Sequence, residues 1–169
     1  MSIKTIGIGE LAVSKSPGET LITYALGPCL GVVALDTVRS IGGLVHCQLP
    51  LSLDDKPQAM RQPARYVDTG VSLLLEEMQR LGAKLESVTI CVAGGAQVLD
   101  ADSVFKIAQR NHSVFRKLMW KNGLLIAAED IGGTRPRTMS LDIGSGVVAV
   151  VKDQERHVIF DATKNCISV

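Results

Sequence analysis

Aromatic residues are scarce in this chain of 169 residues, and so is any excess of charge of one sign. Phe, Trp and Tyr make up 4% of the sequence, and 18 Lys and Arg residues stand against 17 Asp and Glu residues, a formal net charge of +1. Proteins that bind nucleic acids usually carry a clustered basic surface, and those that bind single strands stack bases on aromatic side chains. The composition therefore predicts no nucleic-acid partner. Hydrophobic residues reach 46%, which excludes a disordered chain and provides an aliphatic core.

Cysteine and long apolar runs are also sparse. The four cysteines, at positions 29, 47, 91 and 166, are too few and too scattered for a disulfide framework. None of them forms the C-x-x-C spacing of zinc or redox motifs. No apolar run approaches the ~18 residues that span a bilayer, and the first residues lack the pattern of a signal peptide. We therefore expect a cytoplasmic protein with reduced thiols, without a metal and without insertion into a membrane.

The length and the hydrophobic periodicity predict one α/β domain over residues 1–169, of the α+β type. Apolar residues at a spacing of three and four predict two main helices, at 64–81 and 103–122. Apolar and β-branched runs predict strands. These runs are 3–13, 19–26, 30–36, 41–49, 85–93, 124–129, 137–142 and 146–152. A turn at 16–18 would join the first two of them, and residues 153–169 are expected to form either an extra strand or a loose tail.

The glycine motifs do not indicate a nucleotide site. Gly7-Ile8-Gly9 lacks the third glycine and the helix of a dinucleotide fingerprint, so a strand kink is the simpler interpretation. Gly94-Gly95 follows a predicted strand, but no Walker lysine comes after it, which favours a tight turn. The stretch from Gly132 to Arg137 contains two arginines, and a solvated turn is the more frequent state of such a stretch. We expect no organic cofactor.

One histidine differs from the other two, because His46 lies inside an apolar run where a polar side chain needs a partner or a function. Its predicted strand, Ile41–Leu49, follows the predicted strand Leu30–Asp36 after a short connection. An antiparallel hairpin of these two strands places Gly31 opposite His46 and leaves the space between them unfilled.

This register selects one cysteine. Because side chains alternate along a strand, Cys29 and His46 would share a face as diagonal neighbours about 7–8 Å apart at the backbone. Cys47 would point to the opposite face. A thiol beside an imidazole is the minimum for nucleophilic catalysis, since an imidazolium stabilises a thiolate. A buried structural cysteine near a hydrogen-bonded histidine is the alternative, and it is the more frequent arrangement.

Several separated motifs resemble the CheD family of bacterial chemotaxis glutamine deamidases. The resemblance covers residues 5–152 in matching order, and agreement between several motifs is stronger than one short pattern. The motifs are Leu26-Gly27-Pro28-Cys29-Leu30-Gly31-Val32, Gly42-Gly43-Leu44-Val45-His46, Leu49-Pro50, Pro63-Ala64-Arg65-Tyr66, 73–78, Gly94-Gly95-Ala96, Gln109-Arg110-Asn111 and 128–137.

The resemblance implies a cysteine hydrolase that converts chemoreceptor glutamines to glutamates through a thioester and releases ammonia. The family nucleophile falls on Cys29, the general base on His46 and a third catalytic position on Thr23. The implied fold is a layered α/β/β/α arrangement with mixed sheets, similar to bacterial toxin cysteine deamidases. The implied partners are chemoreceptors, as substrate, and a CheC-type phosphatase that acts on phosphorylated CheY. No metal or cofactor is required.

Two departures and two alternatives accompany this hypothesis. Pro28 stands where the family often has a small residue, and it has no N–H, so other donors such as the Cys29 N–H would bind the oxyanion. Residues 153–169 extend beyond the resemblance. One alternative function is a regulatory partner of the CheC-type phosphatase with little catalysis. The other is a receptor methylesterase, since a thiol that opens an amide also opens an ester.

Overall fold

The computed structural model describes residues 1–98 and 102–164, with side chains described up to residue 98 and from residue 106 to residue 164. This part of the chain forms ten strands and three α-helices, with three short 3₁₀ turns. The elements are β1 (Ser2–Thr5), β2 (Leu11–Ser14), β3 (Glu19–Leu26), β4 (Leu30–Asp36), β5 (Ile41–Cys47), a 3₁₀ turn (Ser52–Asp55), α1 (Lys56–Arg61), a 3₁₀ turn (Pro63–Arg65), α2 (Val67–Arg80), a 3₁₀ turn (Leu85–Ser87), β6 (Val88–Gly94), α3 (Asp102–Lys121), β7 (Ile126–Ile131), β8 (Arg137–Asp142), β9 (Val147–Lys152) and β10 (Glu155–Asp161).

The strands form two five-stranded mixed sheets. The first sheet has the order β1-β3-β8-β9-β10 and the second sheet the order β2-β5-β4-β6-β7. Each sheet holds one parallel pair, β1 with β3 and β6 with β7, and its other pairs are antiparallel. The expected α+β class with mixed sheets is confirmed.

Two apolar cores separate the layers, and β4 contributes to both. Val33 and Leu35 belong to the core between the two sheets, whereas Val32 and Ala34 belong to the core between the second sheet and the helices. This division follows from the alternation of side chains along a strand. The second sheet is therefore covered on both faces, which explains why every residue of β4 and β5 is buried.

The two main helices are confirmed, close to their predicted bounds. Val67, Val71, Leu74 and Met78 of α2 repeat at helical spacing and are fully buried. The burial of each such side chain stabilises the fold by about 1.5–3 kcal/mol. Helix α2 begins later than residue 64 because Pro63–Arg65 forms a 3₁₀ turn before it.

Both main helices pack on the same sheet. Buried side chains of both α2 and α3 belong to the core on the outer face of the second sheet, and the core between the sheets contains no side chain of a described helix. The described residues thus form a helix layer, a sheet and a second sheet. The physical reason is that α2 and α3 each follow a strand of the second sheet, so their apolar stripes pack back onto that sheet. No described helix is long and apolar enough to span a membrane.

The predicted strand at 3–13 is wrong as one element. The chain turns at residues 7–10, so β1 pairs in parallel with β3 in the first sheet and β2 pairs with β5 in the second. Gly9 lies in this turn at φ +73°, and a Cβ there would lie 2.4 Å from the Gln62 side-chain amide. The turn at 16–18 therefore connects strands of different sheets rather than a hairpin.

The chain beyond residue 152 contributes a strand. β10 pairs with β9 at the edge of the first sheet, which agrees with the extra strand and not with the loose tail. β8 and β9 form a hairpin, with Asp142 paired to Val147. Cys166 lies outside the described residues.

Candidate active site

The predicted register of β4 and β5 is confirmed. Gly31 pairs with His46, and the last pair of the ladder joins Leu30 to Cys47. Cys29 belongs to the core between the sheets, on the same side as Gly31 and His46, whereas Cys47 belongs to the core under the helices. The two cysteines therefore point to opposite faces of the second sheet, as expected.

The space opposite His46 is occupied, contrary to the expectation that Gly31 leaves it unfilled. A Cβ on Gly31 would lie 2.8 Å from Leu26, 3.1 Å from Met139 and 3.4 Å from the Thr23 methyl group. These side chains come from β3 and β8 of the first sheet. The glycine thus lets the first sheet approach closely and brings Thr23 to the imidazole.

Thr23 and His46 form a buried hydrogen-bonded network with one backbone carbonyl. The Thr23 Oγ1 lies 2.7 Å from the His46 Nδ1 and donates to the Ile6 carbonyl oxygen at 2.7 Å. A carbonyl oxygen only accepts, so the single hydroxyl hydrogen of Thr23 is committed to Ile6. The His46 Nδ1 must then carry a hydrogen and donate it to Thr23. This assignment leaves Nε2 of the neutral ring without a proton.

His46 is held neutral by its surroundings. The side chain is 1% exposed, and burial lowers its pKa from 6.5 to about 4. Nε2 is buried without a hydrogen-bond partner in the described part of the chain. A buried, unpaired acceptor costs free energy, so its presence in a native structure points to a function. This nitrogen is a proton acceptor in the layer that also contains Cys29.

Cys29 is a neutral thiol in this structure. Burial raises its pKa to about 11, an effect that its own backbone N–H partly offsets. No hydrogen bond joins it to His46. The low pKa of the imidazole and the high pKa of the thiol both favour the uncharged pair over a thiolate–imidazolium pair. A neutral thiol needs a base that accepts its proton before it can act as a nucleophile.

The backbone around Cys29 is fixed by the turn that follows β6. The Gly95 N–H donates to the Cys29 carbonyl at 2.9 Å, and the Ala96 N–H donates to the Gly27 carbonyl at 2.7 Å. A Cβ on Gly94, which has φ +118°, would lie 2.1 Å from the Cys29 carbonyl oxygen. This close approach of two backbones requires the glycine, which agrees with the predicted tight turn and places that turn beside Cys29.

A bulge in β3 lies beside Thr23. The pairing of β3 with β8 shifts between Thr23 and Leu26, and Ala25 there has φ +57°. The Gly27 N–H donates to the Ala25 carbonyl at 2.9 Å. Bulges re-aim side chains and are common beside active sites. This one turns the chain from Thr23 towards Cys29.

Sequence reasoning missed Arg137, which is 3% exposed and not part of a solvated turn. Its guanidinium donates to the carbonyls of Gly94, Asp130 and Gly132 and pairs with the Asp130 carboxylate at 3.2 Å. It ties β8 of the first sheet to the ends of β6 and β7 in the second. No local sequence pattern predicts a buried arginine of this kind, because its acceptors are backbone carbonyls that only the folded chain brings together.

The other described cysteines lie in apolar surroundings. Cys47 is fully buried, and its Sγ lies 3.0 Å from the position of a Cβ on Gly70 of α2. Cys91 is 1% exposed. Burial raises the pKa of both thiols, which suppresses the reactive thiolate. Neither is placed beside a histidine by the strand register, so Cys29 remains the nucleophile candidate.

Comparisons with known proteins identify the family of the chain. The family model described as CheD chemotactic sensory transduction matches residues 48–165. A relative from Solibacter usitatus, named probable chemoreceptor glutamine deamidase CheD, is 40% identical over 83% of this chain and 83% of its own length. One from Thermotoga maritima, named chemoreceptor glutamine deamidase CheD, is 37% identical over 88% of this chain and 91% of its own. One from Syntrophus aciditrophicus is 41% identical over 86% and 91%. The chain belongs to the CheD family.

Proposed function

We propose that this protein hydrolyses the side-chain amides of chemoreceptor glutamines, with Cys29 as nucleophile, His46 as general base and acid, and Thr23 as the group that orients the imidazole. The names of its relatives support the substrate. The observation that carries the mechanism is the unprotonated, unpaired Nε2 of His46 in the layer that contains the thiol.

In the first step, the Cys29 sulfur attacks the carboxamide carbon while His46 Nε2 takes the thiol proton. The imidazolium that forms still donates its Nδ1–H to the Thr23 hydroxyl oxygen. The Thr23 hydroxyl still donates to the Ile6 carbonyl. Both oxygens accept hydrogen bonds as the ring gains positive charge, so the network stabilises the imidazolium. Because the Cys29 thiol and the His46 imidazole are both neutral before the attack, the resting protein does not have to bury an ion pair.

The developing oxyanion needs backbone donors. Pro28 has no N–H, and the N–H groups of Gly95 and Ala96 already donate to the Cys29 and Gly27 carbonyls. The N–H of Cys29 lies beside its own thiol, where it lowers the thiol pKa. We therefore assign the oxyanion to the Cys29 N–H. A donor aimed at developing charge contributes about 2.7–4 kcal/mol to the transition state.

Collapse of the tetrahedral intermediate breaks the C–N bond. His46 gives its proton to the leaving nitrogen, ammonia departs and a thioester on Cys29 remains. Water then attacks the thioester carbon while Nε2 accepts a proton from it. His46 returns that proton to the departing sulfur, which restores the thiol and leaves glutamate. The net reaction consumes one water and releases one ammonia for each glutamine converted.

The test uses a receptor cytoplasmic fragment as substrate and peptide mass spectrometry as the readout. The wild-type protein is expected to convert selected glutamines to glutamates, while Cys29→Ala and His46→Ala abolish conversion. Cys47→Ala, which alters a thiol on the opposite face, is the matched control and retains conversion. Equal conversion by Cys29→Ala and the wild type would refute the proposal.

The remaining parts of the proposal concern substrate range, partner, extent and location. Peptides that carry a glutamine amide or a glutamate methyl ester at the same position separate deamidase from methylesterase activity. A CheC-type phosphatase is the proposed protein partner, and stoichiometric binding without receptor turnover would favour a regulatory role.

We propose that residues 1–169 act as one domain. A cytoplasmic location agrees with free thiols at Cys29, Cys47 and Cys91.

A further inference from the structure

A buried asparagine on α3 contacts both catalytic segments of the chain. Asn111 is fully buried in the helical stripe that also contains Ala108 and Phe115. Its side-chain Nδ2 donates to the Pro28 carbonyl and to the Gln48 carbonyl, each at 3.0 Å. Pro28 immediately precedes the nucleophile, and Gln48 follows the general base by two residues.

These contacts use the full donor capacity of the amide. A side-chain amide nitrogen has two hydrogens, and both are directed at carbonyl oxygens, which also fixes the orientation of the amide group. The Oδ1 atom of Asn111 is buried and has no partner in the described part of the chain. An amide in an apolar stripe costs free energy, and the unpaired oxygen adds to that cost. An apolar side chain at this position would remove the donor that Asn111 supplies to the Pro28 and Gln48 carbonyls.

The Asn111 contacts take the place of a strand pair that the hairpin of β4 and β5 does not form. The ladder of β4 and β5 ends at the pair Leu30 and Cys47, so Cys29 and Gln48 lie just beyond its last pair. Pro28 has no N–H with which to continue the pairing. Asn111 instead donates two hydrogen bonds from its Nδ2, one to the Pro28 carbonyl and one to the Gln48 carbonyl. Gln48 is further anchored by its own N–H, which donates to the Arg65 carbonyl at 2.8 Å.

We propose that Asn111 is a positioning residue for the deamidation reaction, because it sets the separation of the Cys29 and His46 segments where the ladder ends. This inference rests on the proposed function. The thiol and the imidazole are not hydrogen bonded in this structure, so their relative placement depends on the backbone that carries them. A displacement of about 1 Å at a reacting group can cost on the order of 100-fold in rate.

The catalytic arm of the test compares Asn111→Ala and Asn111→Leu with the wild type on the receptor fragment. Leucine keeps the number and branching of the side-chain heavy atoms and removes both donors. Both variants are expected to lower kcat by about 10- to 100-fold with KM changed by less than about threefold. Phe115→Leu is the matched control, since it perturbs a buried side chain of the same helix and removes no hydrogen bond to either segment. It is expected to retain kcat within about twofold per folded molecule.

A second arm measures iodoacetamide labelling of each cysteine by peptide mass spectrometry under native conditions. Loss of the Asn111 contacts is expected to raise labelling of Cys29 by roughly tenfold through local opening and to leave Cys47 and Cys91 unchanged. A general loss of stability would raise labelling of all three thiols equally, which would overturn the proposal. Retention of kcat within twofold in both Asn111 variants would also overturn it.

The two arms separate the two claims. If the wild-type protein fails to deamidate any receptor fragment, the proposed function fails, and the labelling arm still reports whether Asn111 holds Cys29. Selective labelling of Cys29 in the Asn111 variants then supports the contact between the segments, and equal labelling of the three thiols contradicts it.

Discussion

Burial of a neutral histidine makes the stability of this protein depend on pH in a defined direction. Burial lowers the pKa of His46 from 6.5 to about 4 in the folded protein. Between these two values the unfolded chain binds a proton at His46 and the folded protein does not. The free energy of unfolding therefore rises with pH across this interval. The contribution is present in full above pH 6.5 and is lost as the pH falls towards 4.

The perturbation is His46→Asn, which removes the titration and keeps an amide N–H that can donate to Thr23. From the two pKa values, the wild type is expected to lose about 2 kcal/mol more than the variant between pH 7 and pH 5. The assay is urea unfolding at both pH values, followed by far-UV circular dichroism. Fluorescence is unsuitable because the single tryptophan, Trp120, is 86% exposed in the folded protein.

The comparison between the two proteins isolates one residue. Every other group that titrates in acid is present in both the wild type and His46→Asn, so its contribution cancels in the difference. If the free energies of unfolding of the two proteins fell in parallel from pH 7 to pH 5, the pKa of His46 would be the same in the folded and unfolded states. The lowering of this pKa by burial, and the neutral imidazole at pH 5, would then be refuted.

Three further predictions concern the groups around the imidazole and the thiol. Thr23→Val is expected to lower kcat at least about tenfold, because it releases the His46 tautomer, whereas Thr23→Ser keeps the hydroxyl and stays within about threefold; steady-state deamidation kinetics check this. Alkylation of Cys29 is expected to accelerate up to and beyond pH 9, in line with its pKa of about 11, and a plateau below pH 8 by mass spectrometry would indicate a thiolate. Gly94→Ala is expected to cost more than about 2 kcal/mol of stability in urea unfolding, while Gly18→Ala, with no atom within 4 Å of its Cβ position, changes it by less than about 0.5 kcal/mol.

The elements that local patterns predict well are those whose partners are close in sequence. The hairpin of β4 and β5 has a short connection, so the pairing of Gly31 with His46 follows once the two strands are paired across that turn. The run 3–13 shows the limit. Its apolar residues have strand character, but the turn at Gly9 sends its halves to different sheets, and the parallel pairing of β1 with β3 leaves no local signal.

The residues of the candidate site also differ in whether a local sequence pattern predicts them. Cys29 and His46 could be selected from strand parity, and Thr23 only from the family resemblance. The Ile6 carbonyl that fixes the histidine tautomer is a backbone atom from a segment after β1, so no residue type marks it. Arg137 and Asn111 bind backbone carbonyls of distant segments. Their roles depend on which chain ends the two sheets bring together, and that is tertiary information.

The central claim is that glutamine hydrolysis proceeds through a thioester on Cys29. The most direct measurement is acid quenching of the protein during turnover of the receptor fragment, followed by mass spectrometry that maps any covalent adduct to a cysteine. We expect a receptor adduct on Cys29, with ammonia and glutamate formed in equal amounts. An adduct on Cys47 or Cys91, or glutamate formation that continues undiminished in Cys29→Ala, would contradict it.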